Sequence, residues 1–219
     1  MQSVNKHCES ALAGSKILTI LLLTFLTSNI MAQTEYKRVN EAQGLQVGTT
    51  ITDFSATDVN GNTFNLQEAL QKGPVVLVFY RGQWCPVCNR HLSNLQDSLQ
   101  LIYSAGASVI AVSPEKQEYL KKTADKTHAT FTLLYDEGYK IANQFDVTFK
   151  PDAITRTLYN TALGADLKNA NSDDSERLPI PATFIIGKDS KIVWRQFDPD
   201  YKKRSTVEDI LNNLPLLSN

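Results

Sequence analysis

Apolar positions along this chain follow two spacings. Residues 74–80 and 107–113 are continuous, β-branched apolar runs, the pattern of strands covered on both faces. Shorter runs at 131–135, 183–186 and 191–197 predict three more strands. Leu92, Leu95, Leu99 and Ile102 recur at helical spacing and predict a helix up to about residue 105, ended by Gly106. Further helices are predicted over about 115–126, 137–145, with Ile141, Ala142 and Phe145 on one side, and 205–213. Ahead of these, two short strands flank Val59-Asn60-Gly61-Asn62 and predict an N-terminal β-hairpin. Asn65 is placed to cap a short helix over 66–71, before Gly73-Pro74 breaks it. Between 148 and 179 the pattern weakens into an inserted segment: Leu158 and Leu163 suggest a short helix, and 169–177 reads as a solvated loop. Alternating strand and helix argue for an α/β sandwich. The last two strands are joined by a tight turn and must be antiparallel, so the sheet is mixed and an all-parallel doubly wound fold is excluded.

The N-terminus reads differently. Residues 17–26 are apolar on every side and follow Lys6 and Lys16; Met31-Ala32-Gln33 comes after a short polar stretch. A spanning helix needs ~20 apolar residues, whereas the core of a signal peptide needs only ~7–15. Residues 1–32 are therefore expected to be a signal peptide cut after Ala32, in preference to a retained membrane anchor, although Ile30 is larger than the usual residue two positions before a cut. The expected location is the periplasm or the extracellular space, with no membrane attachment of the mature chain. Residues 33–44 would form a polar, extended lead-in to one domain over 45–213.

Composition narrows the function. Hydrophobic residues make up 42% and charged residues 21% of 219, which suits a globular domain. The net charge of −1 leaves no basic excess to attract nucleic acid. Three cysteines, Cys8, Cys85 and Cys88, are too few for a disulfide-built scaffold. Cleavage after Ala32 would leave Cys85 and Cys88 alone. So small a ring removes little denatured-state entropy, so the pair is better explained by chemistry than by stability.

Trp84-Cys85-Pro86-Val87-Cys88 stands where a buried strand hands over to a helix. With Cys85 as N-cap, Pro86 takes the first helical position, where a missing amide proton costs nothing. Cys88 lies one turn in, within bonding reach of Cys85, and both sulfurs sit near the positive end of the helix, which favours thiolate. A zinc site would need two more ligands. His91 lies three residues past Cys88, His128 is distant, and there is no second Cys-x-x-Cys; His91 is expected to be an exposed helix residue, and no metal or organic cofactor is expected. Ile180-Pro181-Ala182-Thr183-Phe184 precedes a strand, and Pro181 is either a cis proline that bares the Ile180 backbone to a thiol substrate or a plain strand-start proline.

The run Phe79-Tyr80-Arg81-Gly82-Gln83-Trp84-Cys85-Pro86-Val87-Cys88-Asn89, with Pro181-Ala182-Thr183-Phe184-Ile185-Ile186 and Phe197-Asp198-Pro199-Asp200-Tyr201, resembles the peroxiredoxin-like branch of the alkyl hydroperoxide reductase/thiol-specific antioxidant family. The resemblance covers about residues 45–213. It implies a thioredoxin-like fold, a central mixed sheet flanked by helices, and a cis Pro181. It also implies a redox site of Cys88 and Cys85 supported by Trp84, Pro86, Arg81, Ile180 and Pro181. Peroxiredoxins proper carry a Pro, a Thr four residues later and the peroxidatic Cys three after that. These positions fall on Arg81, Cys85 and Cys88, and the family's later Arg falls on Pro181, so only the peroxidatic Cys matches. Arg81 is either a substitute for the missing guanidinium or a solvent-facing arginine.

Three functions follow. In an antioxidant thiol peroxidase Cys88 attacks peroxide, Cys85 resolves, and a thioredoxin-like protein re-reduces the pair. In a thiol–disulfide oxidoreductase Cys85, the cysteine expected to be more exposed, attacks a disulfide substrate. In a redox-inert binding module the 148–179 segment is the partner surface.

Overall fold

The computed structural model describes residues 36–215. The expected signal peptide and its cleavage point lie outside them. Lys37 onward forms one compact unit.

The hairpin pairs β1 (Ser55–Asp58) with β2 (Thr63–Asn65). Its turn is held by Asp58, whose carboxylate accepts from the amides of Asn60 and Asn62, both at 2.8 Å. Asn65 caps α1 (Leu66–Lys72) through its side-chain oxygen, as expected. The two apolar runs become β3 (Val75–Phe79) and β4 (Ser108–Ser113), with β5 (Thr132–Tyr135) beyond them. These three strands are parallel and nearly sealed from water, which is why their sequences do not alternate. β8 (Ala182–Ile186) and β9 (Ile192–Phe197) close the other side as the predicted antiparallel hairpin. Seven strands run β2-β1-β5-β4-β3-β8-β9, a mixed sheet centred on β3 and β4. Phe79, Phe145 and Phe184 meet edge to face at its core, with ring centroids 5.0–6.1 Å apart.

The long helix predicted up to residue 105 is two: α2 (Pro86–Asp97) and α3 (Leu99–Ser104), broken where Ser98 leaves helical backbone at φ −112°, ψ 11°. The apolar spacing runs through the break, so periodicity alone does not reveal it. α4 (Gln117–Thr127) follows β4, and a 3₁₀ turn (Glu137–Tyr139) leads into α5 (Lys140–Gln144). α8 (Val207–Asn213) ends the domain behind a Thr206/Asp209 capping box.

Segment 148–179 is built, not loose. β6 (Thr148–Phe149) pairs with β7 (Leu178–Pro179), enclosing α6 (Ala153–Ala162) and α7 (Leu167–Ala170). Leu158 and Leu163 face outward, 56% and 39% exposed, and do not anchor α6 to a core. The solvated loop expected over 169–177 is corrected: Asn171 is buried, and the Arg177 guanidinium ties back to Asp173 at 2.8 Å. Polar residues hide this order, because hydrogen bonds and ion pairs replace apolar packing. Among the described residues no helix is long and apolar enough to cross a membrane.

Candidate active site

The site forms where β3 ends and α2 begins. Cys85 is the N-cap of α2, Pro86 its first residue, and Cys88 sits one turn in, as the sequence predicts. The Cys88 amide donates to Cys85 Sγ at 3.3 Å, so the sulfur satisfies one of the helix's orphan N–H groups. Both cysteines are free thiols and both are buried. The expectation that Cys85 is the more exposed is therefore corrected: the aromatic side chains and arginine around the loop cover it.

Arg81 is 3% exposed, which excludes the solvent-facing alternative. Its guanidinium donates through Nη2 to Cys85 Sγ at 3.1 Å and through Nη1 to Tyr159 Oη at 2.9 Å. The Tyr201 ring lies 4.0 Å from it, and the Trp84 and Tyr159 rings each 5.1 Å. Trp84 and Tyr159 also pack on one another at 4.9 Å. Cation–π attraction is strongest for such desolvated groups, at ~2 kcal/mol or more. Arg81 is thus a positive charge clamped among three rings. Gly82, with φ +153°, turns the chain between Arg81 and the cysteines; a Cβ there would stand 2.5 Å from Glu115 Oε1.

A second guanidinium arrives from far along the chain. Arg204 Nη2 lies 3.6 Å from Cys88 Sγ. Burial alone would push the Cys88 thiol up, but the Cys85 thiol and the charges of Arg204 and Arg81 outweigh it and hold its pKa well below that of an ordinary thiol. Cys85 goes the other way: its hydrogen bond to Cys88, then burial, then the repulsion of a neighbouring thiolate raise it. Two touching thiols under two guanidiniums lose one proton readily and keep the second.

His91, expected on an exposed face, is 8% exposed. Its Nε2 lies 3.1 Å from the Ser205 carbonyl oxygen, which pins the residue next to Arg204. Burial, then the Arg204 charge, lower its pKa to about 4, so the ring is neutral. Nothing in local spacing distinguishes this histidine from a surface one. Beneath the loop, Glu115 Oε2 accepts from the Gln83 amide at 2.8 Å. Burial pushes its carboxyl up to about 8, which keeps it protonated at neutral pH.

Pro181 stands next to the redox loop in space, just before β8, but its peptide bond is trans, as are all those described. The cis expectation is corrected in favour of a strand-start proline. The Ile180 amide is also not bared to a substrate, because it donates to the Val147 carbonyl at 2.7 Å. Ile180 and Pro181, with Arg81, Tyr159 and Tyr201, instead wall a cavity of about 580 Å³. No group of three or more His, Cys, Asp or Glu side chains among the described residues could hold a metal ion.

Sequence reading missed Arg204, Tyr159 and Glu115. Arg204 follows two lysines after the last strand, a cluster that reads as solvated surface. Tyr159 lies in the segment whose pattern had weakened. Glu115 stands two residues past a buried strand, where an acidic residue ordinarily faces water.

A parallel-stranded core ending in a Cys-Pro-x-Cys helix start, with charge focused on the pair, defines a thioredoxin-fold thiol redox protein. The AhpC/TSA family model matches residues 47–195, and the chain belongs to that family. It is 33% identical over 168 residues to peroxiredoxin Bcp of Escherichia coli (strain K12), covering 77% of this chain and 94% of that one. It is 30% identical over 144 residues to the chloroplastic peroxiredoxin Q of Populus jackii, covering 66% of this chain and 64% of that longer protein. In fold it is similar to the peroxidoxin BcpB of Mycobacterium tuberculosis, with a TM-score of 0.60, 22% identity, and coverage of 77% and 96%. Membership among the peroxiredoxins supports a thiol-dependent peroxidase activity, with peroxide as substrate and a thioredoxin-type protein as the general kind of reductant.

Proposed function

We propose that Cys88 is the peroxidatic cysteine and Cys85 the resolving one. The observation that carries the assignment is Arg204 at 3.6 Å from Cys88 Sγ, a charge that stabilises thiolate there and oxyanion character on a departing oxygen beside it. Cys88 thiolate attacks the terminal oxygen of ROOH; an S–O bond forms, the O–O bond breaks, and RO⁻ leaves and takes a proton from water. The product is Cys88 sulfenic acid. Cys85, protonated beforehand, then attacks the Cys88 sulfur, and its proton leaves with the sulfenic oxygen as water. The resulting Cys85–Cys88 disulfide is reduced by a dithiol protein, which gives up two electrons and becomes a disulfide itself. The cavity at Ile180, Pro181 and Tyr201 suits that protein's approach to Cys85, since Arg81 connects the two.

The deciding experiment is single-turnover mixing of reduced protein with hydrogen peroxide, followed by Trp84 fluorescence with Trp194 replaced. Cys85→Ser should keep fast oxidation and stop at sulfenic acid; Cys88→Ser should lose it. Fast oxidation in Cys88→Ser overturns the assignment.

One observation favours a second reading. Arg81 Nη2 and the Cys88 amide both donate to Cys85 Sγ, so a Cys85 thiolate is also supported, which suits a thiol–disulfide oxidoreductase. In that case Cys85→Ser is the inactive variant and a protein disulfide the substrate. The chain is further proposed to act in the periplasm or outside the cell. The apolar run at 17–26 behind Lys6 and Lys16 supports this, and the N-terminal residue of the mature protein, read by mass spectrometry, tests it.

A further inference from the structure

Neither sulfur is open to solvent, so a peroxide must pass through the protein to reach Cys88. Two cavities approach the pair, and each ends on a different arginine. The cavity of about 580 Å³ beside Pro181 stops at Arg81, whose guanidinium is packed by three aromatic rings and donates to Tyr159 Oη and Cys85 Sγ, with its Nε left without a partner. Its walls are largely apolar, among them Val39, Phe149 and Pro199, with Arg38, Arg81 and Lys150 set against one acid, Asp152. A second cavity, of about 460 Å³, lies between α2 and residues 202–207. It ends on Arg204, the residue that touches Cys88, and Val87 and His91 complete the floor.

The second cavity carries the same excess of cations on a more polar wall. Arg90, Lys202 and Arg204 line it against one acid, Asp97, while His91 is neutral. Arg204 Nε is buried and has no hydrogen-bond partner, as is true of Arg81 Nε, but it is the Arg204 guanidinium that lies 3.6 Å from Cys88 Sγ. An unpaired buried N–H beside a reactive sulfur is a donor lacking its acceptor, and the oxygens of a hydroperoxide are acceptors of the right size.

We propose that the cavity between α2 and residues 202–207 is the peroxide channel to Cys88, and that Arg90 and Lys202 at its mouth select small hydroperoxides bearing a carboxylate. The inference rests on Cys88 as the peroxidatic cysteine. Oxidation and re-reduction then use different cavities: the small anionic substrate reaches Cys88 past Arg204, and the reductant reaches Cys85 past Arg81. The substrate need not leave before the reductant docks.

The test compares a short hydroperoxy-carboxylate with its methyl ester on the reduced full-length chain. Cys88 sulfenic acid is trapped, located by fragment masses and timed in single turnover. Arg90→Glu with Lys202→Glu should lower the acid-to-ester rate ratio by about tenfold, because charge focusing acts on the anion alone. Asn94→Trp and Val207→Phe, from opposite walls, should each slow both substrates about tenfold or more, while circular dichroism reports an intact fold. Val39→Phe, in the other cavity, should leave oxidation unchanged. An unchanged acid-to-ester ratio, or slowing by Val39→Phe in place of the two wall variants, overturns the channel. Sulfenic acid trapped on Cys85 in the unsubstituted protein instead overturns the nucleophile assignment, and the fragment masses keep the two failures apart.

Discussion

Arg204 reaches Cys88 across 116 residues of sequence, and its Nη2 lies 3.6 Å from the sulfur. A positive charge at that distance favours the thiolate over the thiol, so removing it must raise the Cys88 pKa. Arg204→Met should shift the midpoint of the pH–rate profile for peroxide oxidation upward by roughly one unit or more. Below the new midpoint the rate falls with the thiolate fraction; well above it, less is lost. Arg204→Lys should recover part of the shift. An unmoved midpoint would show that Arg204 plays no electrostatic role.

Arg81 is held by aromatic faces, and Tyr201 contributes the nearest of them. Tyr201→Leu keeps most of the apolar packing and removes the quadrupole, so it should cost about 1–2 kcal/mol in denaturant unfolding. Arg81→Met in the same background should then cost less than it does alone. Additive losses would argue against coupling between the two residues.

Glu115 gives a pH dependence of known sign. Its folded pKa is raised to about 8 from an ordinary carboxylate value, so the folded state binds a proton that the unfolded state has released. The stability this gives is fully present at pH 4 and is lost as pH rises through 8. Glu115→Gln keeps a neutral, hydrogen-bonding side chain in place. The difference in stability between the variant and the parent should therefore grow in the variant's favour from pH 5 to pH 8, as read by urea unfolding. Comparing the two chains cancels the opposing contribution of His91 and the parallel one of Asp136, whose pKa is pushed to about 6.

Gly82→Ala should be disproportionately costly for a single methyl group. The backbone at φ +153° disfavours any side chain, and the new Cβ would stand 2.5 Å from Glu115 Oε1 and 2.6 Å from Trp84 Nε1. A loss of about 2–4 kcal/mol, or a loop reorganised enough to slow Cys88 oxidation, is expected from calorimetry and stopped-flow measurement.

The order of strands and helices was legible because buried parallel strands write themselves as unbroken apolar runs, as residues 75–79 and 108–113 do. The helix start at Cys85-Pro86 was legible because capping is local chemistry. What was not legible is whatever depends on partners distant in sequence. His91 looks like any helix residue until Ser205 is beside it, 114 residues on. Arg204 and Tyr201 fall in a charged stretch after the last strand, and only the fold turns that stretch toward the sulfurs. The peptide bond before Pro181 is trans despite the resemblance that suggested otherwise, and the Ile180 amide is engaged by Val147, a pairing no spacing reveals. Segment 148–179 was underestimated for the same reason: Arg156 pairs with Glu176 at 3.1 Å, and their order comes from ionic contacts that leave no apolar period.

The spread of the site along the chain has a consequence for its synthesis. The two sulfurs leave the ribosome long before the arginine that lies against Cys88, and Tyr159 and Tyr201, which clamp the other arginine, also come later. Until the last strand and the stretch beyond it have joined the sheet, Cys85 and Cys88 lack the Arg204 charge and the Tyr201 ring that packs on Arg81. The electrostatic setting of the pair is therefore complete only when the domain is.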